Sequence, residues 1–251
     1  MHSRSILGYI HIGTILRYLH STSKGHRIHG GNFALKGITD FLDQMEKNKL
    51  TVTLRVAEGE LIPLKKEFEA TGPAAELNDD QVARLHEAIN VVQKTLYAEA
   101  TGHIAYIVSD KRYDVHRLLT NVGSLFSPYV FDSLPKVAKY DFSEAGRCIA
   151  FERPTAAAFH LLRGTEDVLR TFYRQRVRRN RISTLLWGPM VEALRKLRNP
   201  PPAVLTNDLD NIRLQFRNPT QHPEKTYDIE EVQDLFGRCI DVVNRMMKLL
   251  G

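Results

Sequence analysis

The stretch "PTAAAFHLLRGTEDVLRTFYRQRV" (residues 154–177) predicts a long amphipathic helix in the second half of the chain. It starts with Pro154, and proline suits the first helical position because the N–H that it lacks has no intrahelical acceptor there. Its apolar residues at helical spacing are Phe159, Leu162, Leu169 and Tyr173. A stripe of this kind predicts that the helix packs against other helices.

The sequence beyond this stretch predicts three more helices, at about 188–198, 206–217 and 228–250. The last of them has a well-marked start, with Asp228 as N-cap and Glu231 three residues later. Tyr227 and Val232 have the spacing of a hydrophobic staple around that cap. Because the connections are short, residues 154–250 predict a four-helix bundle.

The N-terminal part of the chain shows two kinds of pattern. Helices are predicted near 5–20, 33–48 and 79–100, the last with Asn78 or Asp79 as N-cap. Two β-branched stretches, "TVTLRV" (51–56) and "HIAYIVS" (103–109), alternate as short strands do. Residues 1–140 are therefore predicted to form a mixed α+β region of unknown role.

From residue 141 the pattern becomes helical, beginning with "DFSEAGRCIAFE" (141–152), which predicts a short helix. The fold class predicted for the whole chain is mainly α. A helical bundle over 141–251 follows the α+β region. Trp187, the only tryptophan, is expected to lie in the bundle core.

Composition excludes several classes of protein. Apolar residues make up 43% and charged residues 25%, which is typical of globular domains. Two cysteines, Cys148 and Cys239, are too few for a disulfide framework and favour free thiols in a reducing compartment. The first twenty residues contain no long apolar run, so we expect a cytoplasmic protein without a membrane anchor. The patterns of common ATPases, dehydrogenases and α/β-hydrolases are missing.

Positive charge is concentrated in the second part of the chain. Residues 1–150 contain 18 Lys and Arg against 17 Asp and Glu, whereas residues 151–251 contain 17 against 12. Of the latter 17 basic residues, 14 are arginines. Arginine binds phosphate through paired hydrogen bonds and stacks on bases. This distribution indicates an anionic partner, with nucleic acid first.

The short stretch "RNPTQH" (217–222) is the candidate site. Asn218 precedes a proline, which disfavours its α conformation, so we expect the third bundle helix to end there. Arg217 then lies on the last helical turn, and His222 follows after a short turn restricted by proline. Histidine can transfer a proton near neutral pH, and arginine stabilises charge on phosphate oxygens. The pair suits RNA cleavage without a metal, through the 2′-OH that DNA lacks.

These residues resemble the catalytic motif of the HEPN superfamily (higher eukaryotes and prokaryotes nucleotide-binding), Arg-x(4–6)-His after the third helix of a four-helix bundle. Here Arg217, Asn218 and His222 match this motif, and the resemblance to the family covers roughly residues 150–251. The resemblance implies a metal-independent endoribonuclease without a cofactor. It also implies that the protein binds RNA and forms a homodimer with a composite cleft. The implied role is in phage defence or in a toxin system, where an antitoxin or another defence-system protein is a further partner.

Two further polar residues belong to the predicted site. The resemblance implies a polar residue on the first bundle helix, and Glu166 interrupts the apolar stripe there. A carboxylate in that place needs a partner, which Arg217 or His222 can supply. The alternative is a purely structural buried acid. For Asn218 the alternatives are a contact in the site or a C-cap, and for Arg217 and His222 an ordinary helix end and loop.

The end of the long helix is unusually rich in arginine, and "RQRVRRNR" (174–181) predicts contact with the RNA backbone. The candidate RNA-binding residues are Arg174, Arg176, Arg178, Arg179 and Arg181. The alternative is a solvated face in which Arg163, Asp167, Arg170 and Arg174 pair along the helix.

Other functions are compatible with the same features. A non-catalytic helical module can bind nucleotides, RNA or a protein through a basic cleft, and a toxin can be silenced by an antitoxin. A zinc site at His26 and His29 is an alternative for the N-terminal histidines, but no cysteine lies near them. We therefore expect no metal. His160, beside the apolar stripe, is expected to be packed rather than catalytic.

Overall fold

The computed structural model describes residues 6–31, 33–177 and 182–251. The described residues are mainly helical, as predicted, and they contain no β-strand. Their only bridge of β type is an isolated pair, Arg27 with Glu76. The chain divides into two compact units, Met1–Tyr106 and Ile107–Gly251, each with its own hydrophobic core.

The described residues of the first unit form a closed arrangement of four helices. They are α1 (Leu7–His20), α2 (Ala34–Lys47), α3 (Thr51–Glu69) and α4 (Asp79–Ala100). Helix α1 contacts α2 and α4, and α3 contacts the same two helices. Leu19, Phe41 and Phe68 are fully buried between them. The Asn78 cap predicted for α4 is confirmed, because its side chain accepts the N–H of Gln81 in a capping box.

The predicted α+β character of the first region is wrong. The stretch 51–56 forms the first turns of α3, and 103–109 has no regular structure, with Ile104 and Ile107 exposed. The carboxylate of Glu99 on α4 accepts the N–H groups of Val52 and Thr53, at 3.1 and 2.8 Å. This cap from a distant helix stabilises a helical start that β-branched residues alone do not favour.

The second unit is built around one long helix. Its elements are α5 (Val115–Thr120), a 3₁₀ turn (Val122–Leu125), α6 (Val130–Ser133), α7 (Lys136–Ala150), α8 (Pro154–Arg176), α9 (Trp187–Arg195), α10 (Ala203–Ile212), a π-helical segment (Arg213–Arg217), α11 (Asn218–Thr220) and α12 (Ile229–Lys248). Helix α8 packs against α7, α9 and α12, and α10 packs against α12. Helices α8, α9, α10 and α12 correspond to the four that were predicted. The bundle also includes α7, which starts before the predicted residue 141.

The second unit begins well before the predicted boundary between residues 140 and 141. Leu118, Phe126 and Leu134 are buried in the same core as α8 and α12. Their turns and short helices carry weak periodicity, so the sequence pattern did not reveal that they complete this core.

Close packing of α7 against α8 depends on a glycine. A Cβ at Gly164 on α8 would lie 3.1 Å from Cβ of Asp141 and 3.4 Å from the ring of Phe142, both on α7. Few side chains tolerate such an approach. The absence of a side chain at Gly164 thus lets α7 bring Asp141 against α8, which matters for the site.

The predicted core residues of α8 and its neighbours are mostly confirmed. Leu162, Leu169 and Tyr173 are buried, whereas Phe159 is exposed and does not belong to the stripe. Trp187 is buried, and its Nε1–H donates to the carbonyl of Leu209 at 3.0 Å. A capping box starts α12, with Asp228 and Glu231 in the predicted roles. Cys148 and Cys239 are free thiols, and burial raises the pKa of Cys239 to about 12.

None of the described helices has both the length and the hydropathy needed to cross a lipid bilayer.

Candidate functional site

The helix that carries "RNPTQH" does not end at Asn218. It widens into the π-helical segment Arg213–Arg217 and continues through Asn218–Thr220. The N–H of Asn218 donates to the carbonyl of Arg213, five residues back. In an α-helix the ring of Pro219 would meet the carbonyl of residue 215, and the wider π register is one way to avoid that contact.

Side chains stabilise the backbone around this irregular turn. The carbonyl of Phe216 accepts the hydroxyl of Thr220 at 2.6 Å and that of Tyr227 at 3.2 Å. The two hydroxyl oxygens are themselves 2.7 Å apart. Both residues are buried, so these hydrogen bonds hold the turn in one position. A segment held in this way suits a preorganised site.

Glu166 on α8 contacts Arg217, one of the two partners predicted for it. Arg217 Nε lies 3.6 Å from Glu166 Oε2, and Nη2 of Arg170 donates to Glu166 Oε1 at 2.8 Å. Only 13% of the Glu166 side chain is exposed. The carboxylate therefore lies between two guanidinium groups, which offsets the cost of its burial, and it attracts Arg217 through an ion pair.

A second cluster lies on the same side of α8, around Asp141 of α7. Asp141 is completely buried. Its Oδ2 accepts Nε of Arg163 at 2.7 Å, and its Oδ1 accepts Nη2 of Arg163 at 2.5 Å. Nδ1 of His160 lies 2.8 Å from the same Oδ1. These hydrogen bonds raise the pKa of Arg163, although its partial burial acts to lower it.

The two clusters border one concave pocket of about 260 Å³. Its lining consists of Phe159, His160, Leu162, Arg163, Glu166, Arg217, Thr220 and Gln221. The lining thus combines two guanidinium groups, an imidazole, a carboxylate and an exposed aromatic ring. These are groups that can bind a phosphate, transfer a proton and stack on a base.

The predicted site residues are only partly brought together. Arg217 and Glu166 lie in the pocket lining and contact each other. Asn218 is half-buried in the following turn. His222 is exposed and lies outside this lining, whereas its neighbour Gln221 belongs to it. The backbone N–H of His222 donates to the carbonyl of Pro219 at 2.9 Å.

The predicted RNA-binding stretch is only partly covered by the structure. Arg174 is exposed on α8, and Nη2 of Arg176 donates to the carbonyl of Asn199 at 3.1 Å. Arg178, Arg179 and Arg181 lie outside the described residues. The alternative pairing along α8 differs from what is observed, because Arg163 binds Asp141 and Arg170 binds Glu166.

The two histidines considered for zinc each bind a hydroxyl group. His26 Nδ1 lies 2.9 Å from Oγ of Ser23, and His29 Nε2 lies 2.8 Å from Oγ1 of Thr71. Each imidazole therefore has a local structural partner.

The cluster of His160, Asp141 and Arg163 was not predicted from sequence. His160 was expected to be packed, yet about 25% of its side chain is exposed and its ring borders the pocket. One signal was available, because residues three apart on a helix lie on one face and His160 and Arg163 can share an acceptor. The acceptor itself is on another helix, and only the α7–α8 contact identifies it.

Comparison of the chain with protein-family models, curated proteins and solved structures finds no match.

Proposed function

We propose that the second unit is a metal-independent endoribonuclease of the HEPN type. The observation that carries the proposal is Arg217, which Glu166 holds in the lining of a pocket that it shares with His160 and Arg163. An arginine in a fixed position is suited to stabilise the charge that develops on a phosphate during cleavage. The role of Asn218 is a polar contact to the same phosphate.

The charge of the described groups around the pocket favours an anion. Three guanidinium groups, those of Arg163, Arg170 and Arg217, surround two carboxylates, those of Asp141 and Glu166. The excess of positive charge is small, which suits a single phosphodiester. Further arginines near the end of α8, beginning with the exposed Arg174, extend the positive charge along the bound RNA. They contribute affinity for the RNA backbone without selecting a base sequence.

His222 is proposed to transfer a proton in the reaction. It is exposed five residues after Arg217, where a second copy of the chain can approach it. We therefore propose a homodimer in which two such turns face one composite cleft. In this arrangement the enzyme uses the 2′-OH of RNA as nucleophile and spares DNA.

The proposal is tested by incubating the purified full chain with total RNA in EDTA and measuring cleavage. The wild type is expected to cut. Arg217→Ala and His222→Ala are each expected to reduce the rate by about 10²-fold or more. Matched controls are Arg147→Ala, which removes an arginine paired only within α7, and His116→Gln, which removes an exposed histidine of the same unit. Both controls are expected to cut at the wild-type rate.

A wild type that binds RNA without cutting it contradicts the nuclease and supports a non-catalytic binding module. Cleavage only in the presence of a divalent cation contradicts the metal-independent mechanism. For the cellular role we propose a toxin or defence nuclease restrained by a partner protein. Growth arrest on expression, relieved by His222→Ala, supports this role, and full tolerance of the wild type counts against it.

A further inference from the structure

Asp141 accepts hydrogen bonds from both Arg163 and His160. The guanidinium of Arg163 donates to both carboxylate oxygens, at 2.7 and 2.5 Å. The contact of His160 with Oδ1 at 2.8 Å is therefore a third hydrogen bond to one buried carboxylate. This bond to a carboxylate that a guanidinium already holds in place keeps the imidazole in a single orientation.

This contact defines which nitrogen of His160 carries the hydrogen. A carboxylate only accepts hydrogen bonds, so Nδ1 must be the donor. In the neutral ring Nε2 then has a lone pair. No described residue makes a hydrogen bond to Nε2, and the ring borders the pocket. His160 thus presents a basic nitrogen in the lining that contains Arg217.

The charged and titratable groups around His160 come from three elements. Helix α7 supplies Asp141 and also Tyr140, whose ring lies edge-on to the imidazole with centroids 6.2 Å apart. Helix α8 supplies Arg163 and Glu166, and the π-helical segment supplies Arg217. The pocket thus places a fixed imidazole among phosphate-binding groups, the arrangement that general base catalysis on a phosphodiester needs.

We propose that His160, oriented by Asp141, is a second proton-transfer residue of this site. Nε2 of His160 takes the proton of the ribose 2′-OH. The 2′ oxygen forms a bond to the adjacent phosphorus, and the bond from phosphorus to the 5′ oxygen breaks. A His222 that the composite cleft of the proposed dimer brings to the same phosphate gives its proton to the leaving 5′ oxygen. The products are a 2′,3′-cyclic phosphate and a 5′-hydroxyl end, and solvent exchange restores both histidines. This assignment rests on the proposed nuclease function.

The test compares His160→Asn with the wild type in RNA cleavage over a range of pH. Asparagine keeps an N–H donor for Asp141 but has no basic nitrogen. We expect kcat to fall by about 10²-fold or more, with KM changed by less than about threefold. The wild-type rate should fall at low pH as the base becomes protonated, and this acidic limb should be lost in the variant. Equal unfolding midpoints for the two proteins verify the fold, and His116→Gln is the control for removing a histidine.

A second measurement does not depend on cleavage. Long-range ¹H–¹⁵N NMR of the imidazoles is expected to show His160 protonated at Nδ1 in the free chain. A 2′-O-methyl oligoribonucleotide, which lacks the nucleophile, is expected to shift its Nε2 resonance. The shift should be absent for His116.

The outcomes separate the two proposals. A wild type that does not cleave RNA overturns the nuclease itself. A wild type that cleaves, together with a His160→Asn variant of the same kcat and pH profile, overturns only the role of His160. Protonation of the free ring at Nε2 instead of Nδ1 also overturns that role.

Discussion

Glu99 of the first unit and the two acids beside the pocket of the second unit have different binding partners. In the first unit, the carboxylate of Glu99 accepts the backbone N–H groups that begin α3. In the second unit, Asp141 and Glu166 instead hold side chains, those of Arg163 and Arg217, at the edge of a pocket. The carboxylate of Glu99 thus joins α4 to the start of α3, whereas Asp141 and Glu166 contact the arginines that line the pocket. On the function proposed above, the chemistry belongs to the second unit.

The two units also differ in how a helix accommodates a proline. Pro63 lies inside α3 on an exposed face, and the helix continues around it. Pro219 follows a π-helical segment, and Thr220 and Tyr227 supply hydrogen bonds to its turn. A proline within a helical run thus has no fixed outcome, because the surrounding residues decide which backbone groups find new partners.

The largest expected effect concerns the separate cores of the two units. Phe172 on α8 and Phe41 on α2 are both fully buried. Replacing either by alanine should lower the stability of its own unit by about 3–5 kcal/mol. Trp187, the only tryptophan, lies in the second unit, so its fluorescence reports on that unit alone.

Urea unfolding followed by fluorescence should therefore shift for Phe172→Ala and not for Phe41→Ala. Circular dichroism should detect the effect of both. An equal shift of the fluorescence transition by the two variants would show that the units unfold together. Such a result would contradict the expectation that each core stabilises only its own unit.

An intermediate effect is expected from the two arginines that bind the acids of the site. Arg163→Met leaves the buried Asp141 with His160 alone, and should lower the free energy of unfolding by about 3 kcal/mol. Arg170→Met is the matched control, because Glu166 is slightly exposed and keeps Arg217, so the loss should be smaller than that of Arg163→Met. Fluorescence-detected urea unfolding at neutral pH measures both. Equal losses would mean that Asp141 does not depend on Arg163.

The smallest expected effect is a pH dependence in the first unit. Hydrogen bonds from Arg84, then from Gln81, lower the pKa of Glu67 below the ordinary value of 4.5. The folded state therefore binds this proton less readily than the unfolded state. The stabilisation is complete above about pH 4.5 and is lost as the pH falls through the lowered folded value.

Glu67→Gln should remove this contribution. Because 36% of the Glu67 side chain is exposed, the loss at pH 7 should stay below about 1 kcal/mol. The variant and the wild type should approach equal stability as the pH falls below the lowered folded pKa of Glu67, as measured by urea unfolding with circular dichroism. A constant difference at every pH would point to packing as the cause.

Several parts of the fold were predictable because their signals are local. The capping residues Asn78 and Asp228 marked the starts of α4 and α12 correctly. An acid in an apolar stripe indicated that Glu166 needs a partner, and Arg217 is one of the two arginines that contact it, the closer being Arg170. The stretch 51–56 failed as a strand because its deciding contact, Glu99, comes from a residue more than forty positions away.

The sequence by itself determined that this protein is mainly helical, that positive charge is concentrated in its second part, and that Glu166 must be paired. Propensity, periodicity and the cost of burying a charge are properties of short segments, so they can be recognised without a fold. Only the tertiary structure decided that α7 brings Asp141 to His160 and Arg163, and that the helical segment ending at Arg217 adopts a π register. Both depend on contacts between helices, where a close approach at Gly164 and a buried hydroxyl pair select one arrangement among those that the local sequence permits.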